Sequence, residues 1–137
     1  MKKLSNKDGV IAAAAMDQRG SLQKSLASAK GVSQKDITWD MMSEFKTAVT
    51  RILTPHASAI LLDPEFGLDA AKARSSNAGL LLAYEESGYD NTKPGRLPDL
   101  LPHVSAKRIA DWGADAVKIL IYYSPFDDAQ VNDIKHA

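Results

Sequence analysis

The chain has 137 residues, 45% of them hydrophobic and 25% charged, and its 17 basic and 17 acidic side chains give a formal net charge of zero. This length suits one domain with a real core, because a chain near 150 residues buries about 68–70% of its unfolded surface. The charge balance gives no basic excess to bind nucleic acid or an anionic membrane, and the lack of cysteine excludes disulfides, thiolate metal sites and cysteine nucleophiles.

Four short apolar runs predict β-strands at Val10–Met16, Ala59–Leu62, Leu80–Ala83 and Ala116–Tyr122. Their apolar residues are continuous instead of alternating, which is typical of strands buried on both faces of a parallel sheet. The first run follows two lysines, as in a secretory signal, but it has only seven residues and a charged residue follows at once. We therefore interpret it as a strand. No segment approaches the ~20 apolar residues of a membrane helix, and we expect a cytoplasmic location.

Helical patterns separate these runs. The segment Asp36–Leu53 predicts a helix that Pro55 ends, with one apolar face. The residues of that face are Ile37, Met41, Phe45, Ala48, Val49, Ile52 and Leu53. Ser105 is a plausible cap and Gly113 a typical residue just past a helix end. Shorter helices are predicted at Leu68–Ser76, Ser105–Trp112 and Ala129–Ala137, and the longest loop at Glu86–Pro102.

Strand and helix alternate four times, which predicts an α/β fold with a parallel sheet. Two architectures fit this alternation. One is an open, doubly wound sheet of flavodoxin type, and the other is part of a (β/α)₈ barrel, which takes about 250 residues when complete. Four units amount to a small open sheet or half a barrel, and periodicity does not choose between them.

Functional residues are expected at the carboxyl ends of the strands in either architecture. Asp17, Gln18 and Arg19 follow the first run directly. Asp17 is placed to accept a hydroxyl proton or to pair with Lys118, and Arg19 to bind a phosphate. The alternative interpretation of this triplet is a solvated loop that caps a helix.

Lys118 is the most informative single residue, because it lies inside a run in which every neighbour is apolar. Burying an unpaired ammonium group is costly. A functional interpretation is a lysine that pairs with a carboxylate or phosphate, or that acts as an amine in carbonyl chemistry. The alternative is a lysine at a strand end that extends its charged group to water.

The remaining polar residues carry weaker signals. We expect Asp63 to cap the turn Asp63–Gly67, and Glu65 and Glu85 to be solvated charges at the rim. The glycine spacing matches neither a dinucleotide-binding fingerprint nor a P-loop. Three isolated histidines form no ligand pair, so a metal site is not supported. The histidines are His56, His103 and His136, and the two tryptophans that we interpret as core or rim packing are Trp39 and Trp112.

Five segments together resemble one family. They are AAAAMDQRGSL, ASAILLDPEFGL, AGLLLAYEESGYD, RLPDLLPHVSAKRI and GADAVKILIYY, in that order. The sequence resembles the tagatose 1,6-bisphosphate aldolase family, whose members are class I (Schiff-base) enzymes. The related sulfosugar-phosphate aldolases share the DQR segment and a lysine on strand four, but LLDPEFGL and AYEESGYD resemble the tagatose enzymes more closely.

The resemblance implies a (β/α)₈ barrel that cleaves a ketohexose 1,6-bisphosphate into dihydroxyacetone phosphate and glyceraldehyde 3-phosphate. A lysine amine attacks the ketose carbonyl, and the iminium ion accepts the electrons of the breaking carbon–carbon bond, with no metal or other cofactor. The family positions that match here are Asp17 and Gln18 after strand one and Lys118 on strand four. Arg19 is adjacent and is included with Gln18 as a substrate-binding residue.

In that family the Schiff-base lysine lies on strand six, the acid/base glutamate on strand five and the phosphate-binding groups on strands seven and eight. The resemblance therefore covers the N-terminal half of one barrel domain, residues 1–137, with Lys118 as an accessory lysine. We expect unpaired edges at the first and fourth strands, and a chain that self-associates or needs its other half. Three alternatives remain open: an inactive remnant or interaction module that pairs with another chain, a sulfosugar-phosphate aldolase relative, and an enzyme whose imine forms on Lys118 itself.

Overall fold

The computed structural model of the chain describes residues 2–88, 92 and 95–136. Its centre is a parallel four-stranded sheet in the order β1-β2-β3-β4. The strands are β1 (Ala13–Met16), β2 (Ala59–Leu62), β3 (Gly79–Ala83) and β4 (Ala116–Lys118). The α/β fold with a parallel sheet is thus confirmed. The sequential strand order is consistent with the first units of a barrel and differs from the flavodoxin order, in which the second strand lies outside the first.

Within the described residues, five α-helices connect or follow the strands. They are α1 (Gly20–Lys30), α2 (Trp39–Leu53), α3 (Leu68–Ala73), α4 (Ala106–Asp111) and α5 (Ala129–His136). Short 3₁₀ helices lie at Lys2–Leu4, Gln34–Asp36 and Thr54–His56. No helix within the described ranges is long and apolar enough to cross a membrane.

The core lies where the two central strands face α3 and α4. Ile60, Leu62, Leu80 and Leu82 are fully buried in β2 and β3, and Ile109 of α4 packs against them. These strands have neighbours on both sides, and most of their continuous apolar sequence is buried as predicted, whereas Leu61 and Leu81 on the opposite face are half-buried.

The two outer strands are shorter than predicted. Val10 and Ile11 precede β1 and are 56% and 43% exposed, and β4 ends at Lys118 instead of Tyr122. Each outer strand has a single neighbour among the described residues, so its apolar run is paired on one side only and is covered less than that of a central strand. The large apolar side chains exposed beyond Lys118 are Ile119, Leu120, Ile121, Tyr122, Tyr123 and Phe126.

Helix α2 begins later and presents a different face from the one predicted. It begins at Trp39 because the Thr38 hydroxyl accepts a hydrogen bond from the Met41 backbone N–H at 3.2 Å and caps the helix. The predicted apolar face is largely exposed, including Met41, Phe45, Ile52 and Leu53. The buried face is instead formed by Met42, Ser43, Lys46 and Thr50.

The remaining helices follow the sequence more closely, with one omission. Helix α1 was not predicted, since its sequence is mostly polar or small and only Ala27 is buried. Ser105 caps α4 by accepting from the Arg108 N–H at 3.1 Å, and Gly113 adopts a positive φ of 85° just past its end, both as predicted. Helix α3 ends at Ala73 instead of Ser76. The predicted loop Glu86–Pro102 includes residues 89–91, 93 and 94, and the last predicted helix includes Ala137; these positions lie outside the described residues.

Asp115 connects the amino end of β3 to the N-terminal segment. Its carboxylate accepts from the Leu80 N–H at 3.0 Å and lies 3.0 Å from the Lys3 ammonium. Burial acts to raise the pKa of this carboxyl, but the Leu80 N–H and the Lys3 charge outweigh it, so the pKa is lowered. Its contribution to stability is therefore present above the pKa of the unfolded chain and is lost as the pH falls through the lower folded pKa.

We expect Asp115→Asn to lower the free energy of unfolding by about 1–3 kcal/mol at pH 7, because a partly buried hydrogen bond loses its charged acceptor and Lys3 loses its partner. Urea unfolding at pH 7 and in acid measures this cost, and the difference from the parent protein should shrink in acid. Asp111→Asn is a control, since Asp111 pairs with Lys107 on the surface at 2.9 Å. An equal cost in acid would show that the negative charge of Asp115 is not the cause.

Candidate active site

Three charged side chains meet at the carboxyl edge of the sheet. Lys118 ends β4, Asp17 follows β1, and Glu85 lies two residues after β3. The Lys118 Nζ atom donates to Asp17 Oδ2 at 3.1 Å and also to Glu85 Oε1. The predicted pairing of Asp17 with Lys118 is confirmed, and the Lys118 side chain is 26% exposed, so it remains accessible from solvent.

The surroundings of Lys118 hold it in the charged form. Burial acts to lower the pKa of its amine, but the hydrogen bonds and negative charges of Glu85 and Asp17 outweigh this effect, and the pKa is raised. An ammonium group has no free electron pair for attack on a carbonyl. At neutral pH, Lys118 can therefore donate hydrogen bonds and stabilise negative charge, but it is a poor nucleophile.

Glu85 corrects one prediction from the sequence. It was expected to be a solvated rim charge, yet it is only 4% exposed, and its second carboxylate oxygen, Oε2, has no hydrogen-bond partner among the described residues. The signal that the sequence offered is its place two residues after a predicted strand, next to a strand that carries a lysine. This oxygen is therefore a buried acceptor whose hydrogen-bonding capacity is not used within the described part of the chain.

Arg19 and Gln18 line the same cleft in different ways. Arg19 is 8% exposed and donates from Nη2 to the Glu85 backbone oxygen at 2.6 Å, while its Nε atom has no partner in the described part of the chain. Gln18 has an exposed side chain and a backbone oxygen that accepts from Lys46. The cleft has a volume of about 320 Å³ and is lined by Asp17, Gln18, Arg19, Glu85, Lys118 and Leu120, with polar neighbours.

A buried ion pair between Lys46 and Asp63 lies beneath this cleft. The sequence indicated Asp63, as a turn cap, but not Lys46. Lys46 and Asp63 are both completely buried and hydrogen-bonded to each other. Burial lowers the pKa of Lys46, against the opposing effect of the Asp63 charge. Asp63 also accepts from the Phe66 N–H at 2.9 Å, which confirms the predicted cap of the turn Asp63–Gly67. The available signal for Lys46 was its place on one helical stripe with Met42 and Thr50.

Other singled-out residues lie away from the cluster. Trp39 is 51% exposed and donates its indole N–H to the Glu65 backbone oxygen at 2.9 Å, so it packs at the rim, and Glu65 is exposed as predicted. Trp112 packs against the core. His56 and His103 are exposed. Among the residues that the structure describes, no group of three or more histidine, aspartate or glutamate side chains could hold a metal ion.

Comparison with known proteins gives concordant matches. The sequence pattern of the family described as DeoC/LacD family aldolase matches residues 11–136. The chain is 54% identical to the tagatose 1,6-diphosphate aldolase of Listeria monocytogenes serotype 4a (strain HCC23) over 138 aligned residues, which cover all of this chain and 39% of that protein. It is 53% identical to tagatose 1,6-diphosphate aldolase 2 of Enterococcus faecalis, over 99% of this chain and 40% of the relative. It is 51% identical to tagatose 1,6-diphosphate aldolase 1 of Streptococcus mutans, over its whole length and 41% of the relative. The chain thus spans about two fifths of the length of these relatives.

Proposed function

The chain belongs to the DeoC/LacD aldolase family, and from that premise we propose that its strand-end site serves the Schiff-base cleavage of a ketohexose 1,6-bisphosphate, with tagatose 1,6-bisphosphate as the preferred substrate. The products would be dihydroxyacetone phosphate and glyceraldehyde 3-phosphate. The observation that carries the proposal is the Lys118 ammonium group between the carboxylates of Asp17 and Glu85 at the carboxyl edge of the sheet. This is the edge at which barrel enzymes bind their substrates.

The cluster has the groups that retro-aldol cleavage needs around a hydroxylated carbon chain. A carboxylate accepts the proton of the substrate's C4 hydroxyl, and the C3–C4 bond breaks as the C4 carbonyl forms. The electron pair of that bond forms a C2–C3 double bond while the iminium π pair moves onto nitrogen, which gives an enamine and a free aldehyde. We assign the acceptance of this one proton, from the C4 hydroxyl, to Asp17, and the remaining acid/base steps to the glutamate that the resemblance places on strand five, outside residues 1–137. We assign to Lys118 the positioning of substrate oxygens and the tuning of proton transfer, and to Gln18 and Arg19 the binding of substrate.

We further propose that the imine forms on another lysine, outside residues 1–137. The raised pKa of Lys118 supports this, because the ammonium form cannot attack a carbonyl. Residues 1–137 would then supply the first four units of a (β/α)₈ barrel domain. The open edges of β1 and β4, and the apolar side chains exposed beyond β4, support a requirement for further strands or for self-association.

The same proposal bears on partners and location. We propose a sugar bisphosphate as the small-molecule partner. We propose no nucleic-acid partner, because the chain has a formal net charge of zero and no basic excess to bind one. We propose a cytoplasmic location, because phosphorylated sugars are made and consumed there and the chain has no cysteine.

The proposal is tested by reconstitution. The chain is mixed with a polypeptide that carries the part of the Listeria relative beyond the matched region, and cleavage of tagatose 1,6-bisphosphate is measured. We expect activity from the mixture and none from either part alone. Borohydride trapping with dihydroxyacetone phosphate, followed by peptide mapping, should then label the added polypeptide. Label on Lys118 would contradict our assignment of the nucleophile.

One observation favours a second function, that of an interaction module. Apolar residues lie exposed along both open edges, among them Val10, Ile11, Ile119 and Ile121. A chain that binds the added polypeptide tightly but gives neither cleavage nor trapped imine would support this second function over the first.

A further inference from the structure

Lys46 makes a set of contacts that its ion pair with Asp63 does not explain. Besides Asp63, its Nζ atom donates to the Met16 backbone oxygen at 2.7 Å and to the Gln18 backbone oxygen at 2.7 Å. An ammonium group has three N–H donors, and all three are used here. The side chain is completely buried, so water does not compete for any of them.

The two backbone oxygens lie on either side of Asp17. Along an extended chain, groups two residues apart point to the same side, so one ammonium group can bind both. The segment follows β1, where the sheet hydrogen bonds to β2 end at the Met16 and Leu62 pair. Lys46 therefore supplies hydrogen bonds to the backbone at Met16 and Gln18, where the register between β1 and β2 ends and the chain enters the cleft.

We propose that Lys46 is a positioning residue of the site: by holding the backbone on both sides of Asp17, it places the Asp17 carboxylate against Lys118. Asp63 would orient Lys46, since its other oxygen is fixed by the Phe66 N–H at 2.9 Å. The chain of contacts runs from the turn after β2, through α2, to the segment after β1 and across to β4. The inference rests on the proposed function only for the chemical role of the Asp17–Lys118 contact.

Electrostatics supports the same arrangement. The negative charge of Asp17 is one of the influences that act to raise the pKa of Lys46, against the larger effect of burial. The attraction is mutual, so it also favours the position of the Asp17 carboxylate, whose Oδ2 atom lies 3.1 Å from the Lys118 Nζ atom.

The test uses the ionisation of Lys118 as a reporter of its contact with Asp17. The 13Cε resonance of Lys118 in isotope-labelled protein is followed against pH. The Asp17→Asn variant is the reference: it measures how far the Lys118 pKa falls when the Asp17 carboxylate is lost. Lys46→Met combined with Asp63→Asn removes the ammonium group without leaving a buried charge unpaired. We expect it to lower the Lys118 pKa by a similar amount, and the further addition of Asp17→Asn to change little.

A surface pair and a rescue variant serve as controls. Lys72→Met with Asp69→Asn removes an exposed ion pair of 2.9 Å and should leave Lys118 unchanged. Lys46→Gln with Asp63→Asn restores neutral N–H donors and should recover part of the native Lys118 pKa, whereas a mere packing role predicts that Gln and Met behave alike. A variant that unfolds in buffer is compared with the parent protein in a stabilising osmolyte.

A folded Lys46→Met, Asp63→Asn protein with the native Lys118 pKa, and with the full effect of Asp17→Asn still present, would overturn the inference. The result is independent of the reconstitution. Failure to trap an imine would count against the proposed function and leave the Lys118 titration readable. An unchanged titration would count against the role of Lys46 and leave the trapping result intact.

Discussion

Replacing Lys46 with methionine is expected to lower the free energy of unfolding by about 3–5 kcal/mol, because the Asp63 carboxylate would remain buried without a counter-charge. Such a loss is a large part of the 5–15 kcal/mol that stabilises a typical domain. Two backbone oxygens, of Met16 and Gln18, would also lose their donor. Urea unfolding followed by circular dichroism measures the change.

The matched control is Lys72→Met, since Lys72 pairs with Asp69 at the surface and both side chains are mostly exposed. It should cost less than about 1 kcal/mol. Adding Asp63→Asn to Lys46→Met should restore a good part of the lost stability, because the unpaired charge is gone. If Lys46→Met proved as stable as the parent protein, the buried pair would not exist in solution.

The second large effect concerns the reaction. In the reconstituted enzyme, we expect Lys118→Met to lower kcat for tagatose 1,6-bisphosphate cleavage by about 10²–10⁴-fold, the usual range for loss of a group that assists proton transfer. The ammonium group that holds Asp17 and Glu85 would be absent. Borohydride trapping of dihydroxyacetone phosphate should persist, since the proposed imine lysine lies elsewhere.

Lys107→Met serves as the comparison for this variant, because Lys107 lies on the outer surface of α4 and pairs with Asp111. It should leave both kcat and trapping unchanged. Loss of trapping in Lys118→Met would instead place the imine on Lys118. An unchanged kcat would remove Lys118 from the mechanism altogether.

The sequence was sufficient for the four parallel strands, though not for the outer ends of β1 and β4, and for one contact of the site. Apolar runs located β2 and β3 closely, because each of these strands lies between two neighbouring strands of the sheet. The rule that strand ends converge was enough to pair Asp17 with Lys118, although 101 positions separate them. Both inferences depend on local pattern and on general topology alone.

The parts that could not be predicted depend on how the elements rotate against one another. The most apolar stripe of α2, which includes Phe45 and Ile52, is exposed. The opposite face directs Lys46 inward, where oxygen atoms at the ends of β1 and β2 accept its hydrogen bonds. The sequence predicts a solvated rim charge at Glu85, because its burial depends on contacts with Arg19 and Lys118, which are distant along the chain. A single-residue pattern has no information about such encounters.

The sequential strand order has a consequence for how the chain forms during synthesis. Each strand after the first pairs with the strand made just before it, so the sheet can grow one unit at a time as the polypeptide emerges from the ribosome. The Asp17–Lys118 contact joins the segment after β1 to the end of β4, so it can form only after β4 has docked. Long-range contacts of this kind form late, since their loop-closure entropy is met only once the intervening structure exists. The Asp17–Lys118 contact is therefore expected to form after these four strands have paired, and the ionisation of Lys118 would report the docking of β4 in a refolding experiment.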